Sequence, residues 1–405
     1  MYDVLVIGVG PAGSTAARLL AKAGWSVAVV EKSRFPRRKV CGEFISATSL
    51  PLLYDRDIGA QFLSQAGPEV RRVGLFALGT ALTSGMPPAA NSVAGWGRAL
   101  GRDQLDLLLA DAAAKAGAEL WQPWKLMGLR RVSGGHVCTI AGEGCTKELH
   151  VRVVVAATGS WEPGPLLAEF AQTRRGSDLL AFKAHFRGGD LPQDLMPLLA
   201  FPGGYGGMVH TDRGRVSLSC CIRRDILQHC RNEHPNRHAG NSVLHHIQDH
   251  CEGVRETLEH ACLDGTWLAA GPIRPGIRRR YADGIFFIGN IAGEAHPIVA
   301  EGISMAMQSA WLLCQRLLEC RDGIANQAVV DAVGHAYARD WKDAFAARIR
   351  AAAMLARIVM QPGAAWALPV IKRFPQVLTW GARLSGKTTQ IVRPGEAARH
   401  AANVR

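Results

Sequence analysis

The sequence has no uncharged apolar run that reaches the roughly 18 residues a membrane span needs. It also has no basic leader: MYDVLVIGVG carries an acid at Asp3, so no signal peptide is expected. Ten cysteines are scattered without a framework and without any CxxC, which reads as reduced thiols in a cytoplasmic protein. No basic run is interleaved with aromatics, so no nucleic-acid partner is expected. The nearest thing to a metal pattern is Cys230, His234 and His238. Pro235 interrupts it and no fourth ligand is evident, so no metal is expected.

With 405 residues, 48% of them hydrophobic, the chain can bury a large core and form two or three interlocked domains. Lys plus Arg exceed Asp plus Glu, 47 against 34, for a net charge of +13. Beyond solubility, such a field favours an acidic membrane surface or an anionic substrate or carrier.

The N-terminus carries the clearest chemistry. DVLVI, residues 3–7, suits a buried parallel strand and runs into GVGPAG. Gly8, Gly10 and Gly13 have the G-x-G-x-x-G spacing, with Pro11 and Ala12 between them. STAARLLAKAG then has helical periodicity closing at Gly24, and WSVAVVEK is a second strand ending in Glu31 and Lys32. The first glycine allows a tight turn, the second lets backbone amides approach a pyrophosphate, and the third allows close helix–strand packing. Glu31 would accept hydrogen bonds from the adenosine ribose and repel a 2′-phosphate.

Further segments give this dinucleotide site a family likeness. They are RRKVCGEFIS (37–46), GRALGRDQLDLLLADAAAKAGAEL (97–120), WKLMGLRRV, VRVVVAATGS (151–160) and YADGIFFIGN running into IAGEAHPIVAEGIS. Together they resemble the FAD-dependent oxidoreductases of the p-hydroxybenzoate hydroxylase type, in the geranylgeranyl reductase and flavin halogenase branch. The resemblance implies an α/β fold: a Rossmann-like FAD-binding domain, an interleaved antiparallel sheet forming the substrate wall, and a helical C-terminal region. The corresponding ranges are 1–164 plus 276–330, 165–275 and 331–405.

The resemblance also assigns residues. Cys41 and Gly42 would line the flavin, with Glu43 nearby. Arg102 would reach the FAD, and the backbone near Leu126 would face the adenine. Thr158 and Gly159 stand where hydroxylases have an acid that helps bind both FAD and NADPH. Gly289, Pro297 and Gly302 keep the family's Gly…Pro…Gly spacing, with Asn290 in place of the usual acid. His296 and Pro297 would lie on the loop over the flavin. The helix opening at Gly302 and Ile303 would point its amides at the ring edge that becomes anionic on reduction. Arg34, Arg37, Arg38 and Lys39 could guide an anion such as NAD(P)H.

In the middle of the chain, LLAFKAHF, YGGMVHT and RVSLSCCI read as strands, the last two joined by Asp212-Arg213-Gly214. Lys183, His185, Met208 and His210 are the candidate wall residues, Met208 and His210 sharing a face. In the tail, Trp341, Phe345, Ile349, Met354 and Ile358 lie near one helical stripe. A Pro-broken, basic, apolar stretch follows. It could dock on the core, cover a greasy substrate channel, or make peripheral contact with an acidic membrane.

The leading functional expectation is a monooxygenase that hydroxylates an aromatic or polyketide-like intermediate through a flavin C4a-hydroperoxide. The alternative is a geranylgeranyl reductase-like enzyme reducing alkenes of a lipid. A halogenase is disfavoured because the WxWxIP segment is absent, Trp121 and Trp124 being followed by Lys-Leu-Met. The last alternative is an FAD-holding interaction protein. The electron source would be NADH, NADPH or a partner flavin reductase. The substrate would be small and apolar or aromatic, with anionic or carrier-bound forms included.

Overall fold

The computed structural model describes residues 1–54, 58–89, 95–159, 175–361 and 368–392. Ser160 and the expected 164/165 boundary lie outside the described residues. The first sheet is built around strand Tyr2–Ile7, flanked in parallel by Val27–Val30 and Cys145–Ala156, with Glu119–Trp121 and Ile285–Phe287 outside them. Its central strands read as continuous apolar runs because both faces are covered. Val4, Val6, Val153 and Val155 pack on the helical side, while Leu5, Ile7 and Val154 pack against the hairpin of Lys125–Val132 and Gly135–Gly142. Helix α1, Pro11–Lys22, begins inside the glycine motif and stops before Gly24, whose φ of +77° ends it.

One element differs from expectation. YADGIFFIGN, whose apolar run suggests a single strand delivering Gly289 and Asn290, folds as a tight hairpin of Tyr281–Ala282 and Ile285–Phe287. Asp283 and Gly284 turn it with φ of 52° and 80°, the Asp-Gly signature of a two-residue turn.

The second sheet contains the three expected strands, Leu179–Arg187, Gly204–His210 and Val216–Arg223, with the last two joined by the turn Asp212–Gly214. It is not confined to residues 165–275. Strands Arg72–Ala77 and Thr80–Gly85 extend it, and Arg72–Ala77 runs parallel to Leu195–Phe201 in an otherwise antiparallel array. Alternating side chains divide its two faces. Phe182, Ala184, Leu199, Met208 and Leu218 form a core on the far side, while Ala181, Tyr205 and Cys221 face the first sheet.

Five more helices matter for the site: α2, Arg102–Lys115; α3, Gly302–Glu319; α4, Gln327–Val359; and the short α5, Leu368–Arg373, followed by α6, Gln376–Ala382. The expected stripe on α4 holds for Trp341, Phe345 and Ile349, which are buried, but Met354 and Ile358 are exposed. The buried stripe continues instead through Ala352 and Ala356. At about 100° per residue, steps of 4, 4, 3 and 4 keep one face, while Met354 and Ile358 fall roughly opposite.

Candidate active site

Between the two sheets runs a cavity of about 540 Å³. One end is lined by Val30, Glu31 and Lys32, the middle by Gly8, Gly10, Pro11, Ala12 and Arg102, and the other end by Asn290, Pro297, Gly302 and Ile303. Cys41, Gly42, Leu126, Thr158, Gly159 and Gly289 also line it, so seventeen of the eighteen residues assigned to the cofactor meet at one void. The exception, Gly13, acts from behind: a Cβ there would lie 1.9 Å from the Gly8 carbonyl oxygen. It is the close-packing glycine that the motif requires.

The cradle suits a dinucleotide on its own geometry. Gly8 takes a φ of +103°, and no atom lies within 4 Å of where a Gly302 Cβ would stand. Gly10 has only the Arg102 guanidinium, 3.7 Å away. Glu31 is buried at its strand end and accepts bonds from the amides of Val9 at 2.9 Å and Ser33 at 2.8 Å. Beside these glycines three cations converge. Arg102 forks onto Asp106 at 2.7 and 2.8 Å, and Arg37 reaches Glu31 at 3.1 Å. Lys39 makes no ion pair among the described residues. Burial, and then the charges of Arg102 and Arg37, push the Lys39 ammonium down to about 8. A helix N-terminus with a lysine outside any ion pair among the described residues and two arginines beside it suits an anion such as a pyrophosphate.

The loop 34–39, expected to steer NAD(P)H, is mostly committed elsewhere. Arg37 and Lys39 belong to this cradle, and Arg38 sits 3.4 Å from His185. Only Arg34 is strongly exposed, 3.8 Å from Glu143.

The chain belongs to the FAD-binding domain family. That family matches residues 1–342. Among relatives, conditioned medium factor receptor 1 of Dictyostelium discoideum is 26% identical over 79% of this chain. This chain spans just under two thirds of that protein, 64% of its length. Digeranylgeranylglycerophospholipid reductase 2 of Methanopyrus kandleri is 26% identical over 78% of this chain and 75% of its own. Among solved structures, the flavin-dependent brominase Bmp2 superposes with a TM-score of 0.74 at 19% identity, covering 99% of this chain and 97% of that one. This protein is an FAD-dependent oxidoreductase of the p-hydroxybenzoate hydroxylase-like superfamily.

The substrate wall is where the sequence reading needs correction. Lys183 and His185 do lie on the face toward the first sheet, but they do not line the cavity. Both are buried against Glu43, whose carboxylate takes the Lys183 ammonium on one oxygen and His185 Nε2, at 2.8 Å, on the other. Glu43 also accepts the Arg102 amide at 3.0 Å and holds a left-handed φ of 63°. Burial alone would raise its carboxyl, but Lys183 and His185 win and hold it well below the usual carboxylate range. The network fastens the Cys41–Gly42 loop to the second sheet.

Met208 and His210 share a face as expected, but it is the far one. The Met208 side chain joins the far-side core, so only its strand borders the cavity, and His210 bonds the Leu191 carbonyl at 2.6 Å. The parity reverses because Tyr205, Gly207 and Val209 are the inward positions.

His296 also lies just off the cavity. Burial, with Arg357 adding to it, lowers the imidazole to about 4, so it is neutral at pH 7. Its Nδ1 accepts the Tyr205 hydroxyl at 3.0 Å. Burial lifts that phenol well above its ordinary value, so it keeps its proton and ties the wall to the loop carrying Pro297.

Two features come from the tail: the cover over a greasy channel, one of the options its sequence left open, and a buried ion pair that had no sequence signal. Leu355 and Val359 of α4, Ile371 of α5 and Val377 and Leu378 of α6 close the cavity as an apolar cover. Glu301, fully buried before α3, is neutralised by Lys387, 387 − 301 = 86 residues away. The Lys387 ammonium reaches Glu301 at 3.2 Å and the Val299 carbonyl at 2.5 Å, with Arg348 of α4 at 3.9 Å from the same carboxylate. The tail is thereby pinned to the loop that opens α3.

Cys230 lies in a helix ending at Glu233, while His238 precedes a separate one starting at Ala239. Among the described residues no group of three metal-capable side chains assembles. Nor is any helix among them long and apolar enough to cross a membrane.

Proposed function

We propose that the protein reduces carbon–carbon double bonds of a long apolar lipid, the reading that stood second on sequence alone. The observation behind it is the composition of the cavity beyond the cradle. Val73, Leu75, Met196 and Leu198 come from the second sheet, and the α4–α6 cover supplies five more apolar side chains. An apolar lining of this kind gains about 25 cal/mol per Å² of hydrocarbon it removes from water. The charged side chains here are already engaged, Lys387 by Glu301 and Glu294 by Arg278 at 3.3 Å, so hydrocarbon contact dominates what this end offers a substrate.

When bound and reduced, FAD supplies the hydride equivalent for such a reaction. The chain's own work is to bind, orient and dry the site. The first-turn backbone of α3, at Gly302 and Ile303, borders the void and contributes the positive end of the helix dipole where negative charge accumulates. The Tyr205–His296 bridge and the Glu43 network hold wall and cradle in register. Burial pushes both Tyr205 and Cys221 toward the protonated form, so neither is poised to release a proton.

The test is a product mass. Anaerobic, reductant-loaded protein given a polyprenyl glycerolipid should add about 2 Da per saturated double bond. A gain of about 16 Da, appearing only with oxygen, would instead support the second reading, hydroxylation of an apolar or aromatic substrate. The apolar lining favours that reading too, since excluding water protects reactive intermediates. NADH, NADPH and a separate flavin reductase are the electron sources to compare in the same assay.

A further inference from the structure

The described part of the molecule exposes thirteen large hydrophobic side chains, and eight of them fall between residues 354 and 384. Met354 and Ile358 project from the end of α4, Val370 from α5, and Trp380 from α6, with Phe374 and Leu384 just beyond the helix ends. Trp380 is 64% exposed and Leu384 77%. Water-facing groups of this size, concentrated in 31 consecutive positions, are not the scattered apolar residues of an ordinary surface.

The charge of the same segment has one sign. From residue 344 to residue 395 the sequence holds eight cations and no acid. Arg348 and Lys387 are spent on Glu301, but Arg350, Arg357, Lys372, Arg373 and Arg383 are exposed and make no ion pair among the described residues. Arg373 lies over the Phe374 ring at 5.4 Å, so cation and apolar body occupy one place.

The patch is also the rim of the cavity. Leu355 and Val377 line the void and are each about two-fifths exposed, so the apolar lining continues outward into the patch.

We propose that this face, the end of α4 with α5 and α6, docks on a lipid surface bearing anionic headgroups. Phe374, Trp380 and Leu384 enter the headgroup–acyl boundary while the arginines and lysine lie among the phosphates. A lipid chain could then pass from the surface into the cavity without crossing water. The inference does not depend on which reaction the flavin performs.

The experiment is flotation of the full-length, FAD-loaded protein with vesicles of phosphatidylcholine alone or with 30% phosphatidylglycerol added, without substrate. Binding should require the anionic lipid. Lys372→Gln/Arg373→Gln/Arg383→Gln should weaken it about a hundredfold, at about fivefold per cation. Phe374→Ser/Trp380→Ser/Leu384→Ser should abolish it. None of these six residues lines the cavity, so the flavin spectrum should stay unchanged and serves as the folding control. Equal binding of wild type and both variants would overturn the proposal, as would no binding to either vesicle. So would a dimer in solution that the serine variant dissociates, since a second copy would then be the occupant.

Discussion

Removing Lys39 should move two properties in opposite directions. In the protein without FAD this ammonium sits among Arg37 and Arg102, and its fall from 10.5 to about 8 disfavours the charged form by about 3 kcal/mol. Water at this half-buried site screens part of that, leaving about 1–2 kcal/mol. The sign follows from linkage: a lysine whose folded value is depressed opposes folding while charged, below about 8, and the penalty fades as pH rises toward 10.5. Lys39→Met should therefore make the FAD-free protein more stable at pH 7, by about 1–2 kcal/mol in urea unfolding. The same change removes a cation from the pyrophosphate cradle, so FAD should bind about 5- to 30-fold more weakly, read by flavin fluorescence quenching. Wild-type affinity should also fall above pH 8 with a slope the variant lacks. If the FAD-free variant is less stable than wild type and its FAD affinity is unchanged, Lys39 is not a phosphate-facing cation.

Other consequences are as direct. Gly13→Ala places a methyl 1.9 Å from the Gly8 carbonyl, and the purified protein should carry no flavin absorbance. Glu43→Gln strands a buried lysine beside His185 and should cost about 3–5 kcal/mol in chemical denaturation. Adding Lys183→Met to it should recover part of the loss, and no recovery would mean the network is not the cause. His296 has its folded value lowered to about 4 from an ordinary 6.5, so its contribution is whole above 6.5 and lost as pH falls toward 4. The loss is at most about 3 kcal/mol, less with screening. Urea melts at pH 7 and 4.5 should differ less for His296→Asn than for wild type.

The sequence by itself determined the cofactor half of this protein. A Rossmann cradle is assembled by backbone, and backbone requirements are written locally: Gly8 for a positive φ, Gly13 for contact, Glu31 at a strand end, Gly302 at a helix start. Gly8, Gly13 and Glu31 need only their neighbours in sequence to be recognised, whereas Cys41, Arg102, Gly289 and Gly302 are assigned by family resemblance, and these four also border the void. What the tertiary structure alone decided is the substrate half. Strand alternation says that Met208 and His210 share a face but not which sheet face is inward, and one step of parity exchanges the core for the wall. Lys183 and His185 look free until Glu43, 183 − 43 = 140 positions away, is brought between them. Glu301 finds Lys387, and the cover of the cavity finds its place, only when the tail folds back across the molecule. Side-chain pairings between distant segments have no period and no motif, and packing is what selects them.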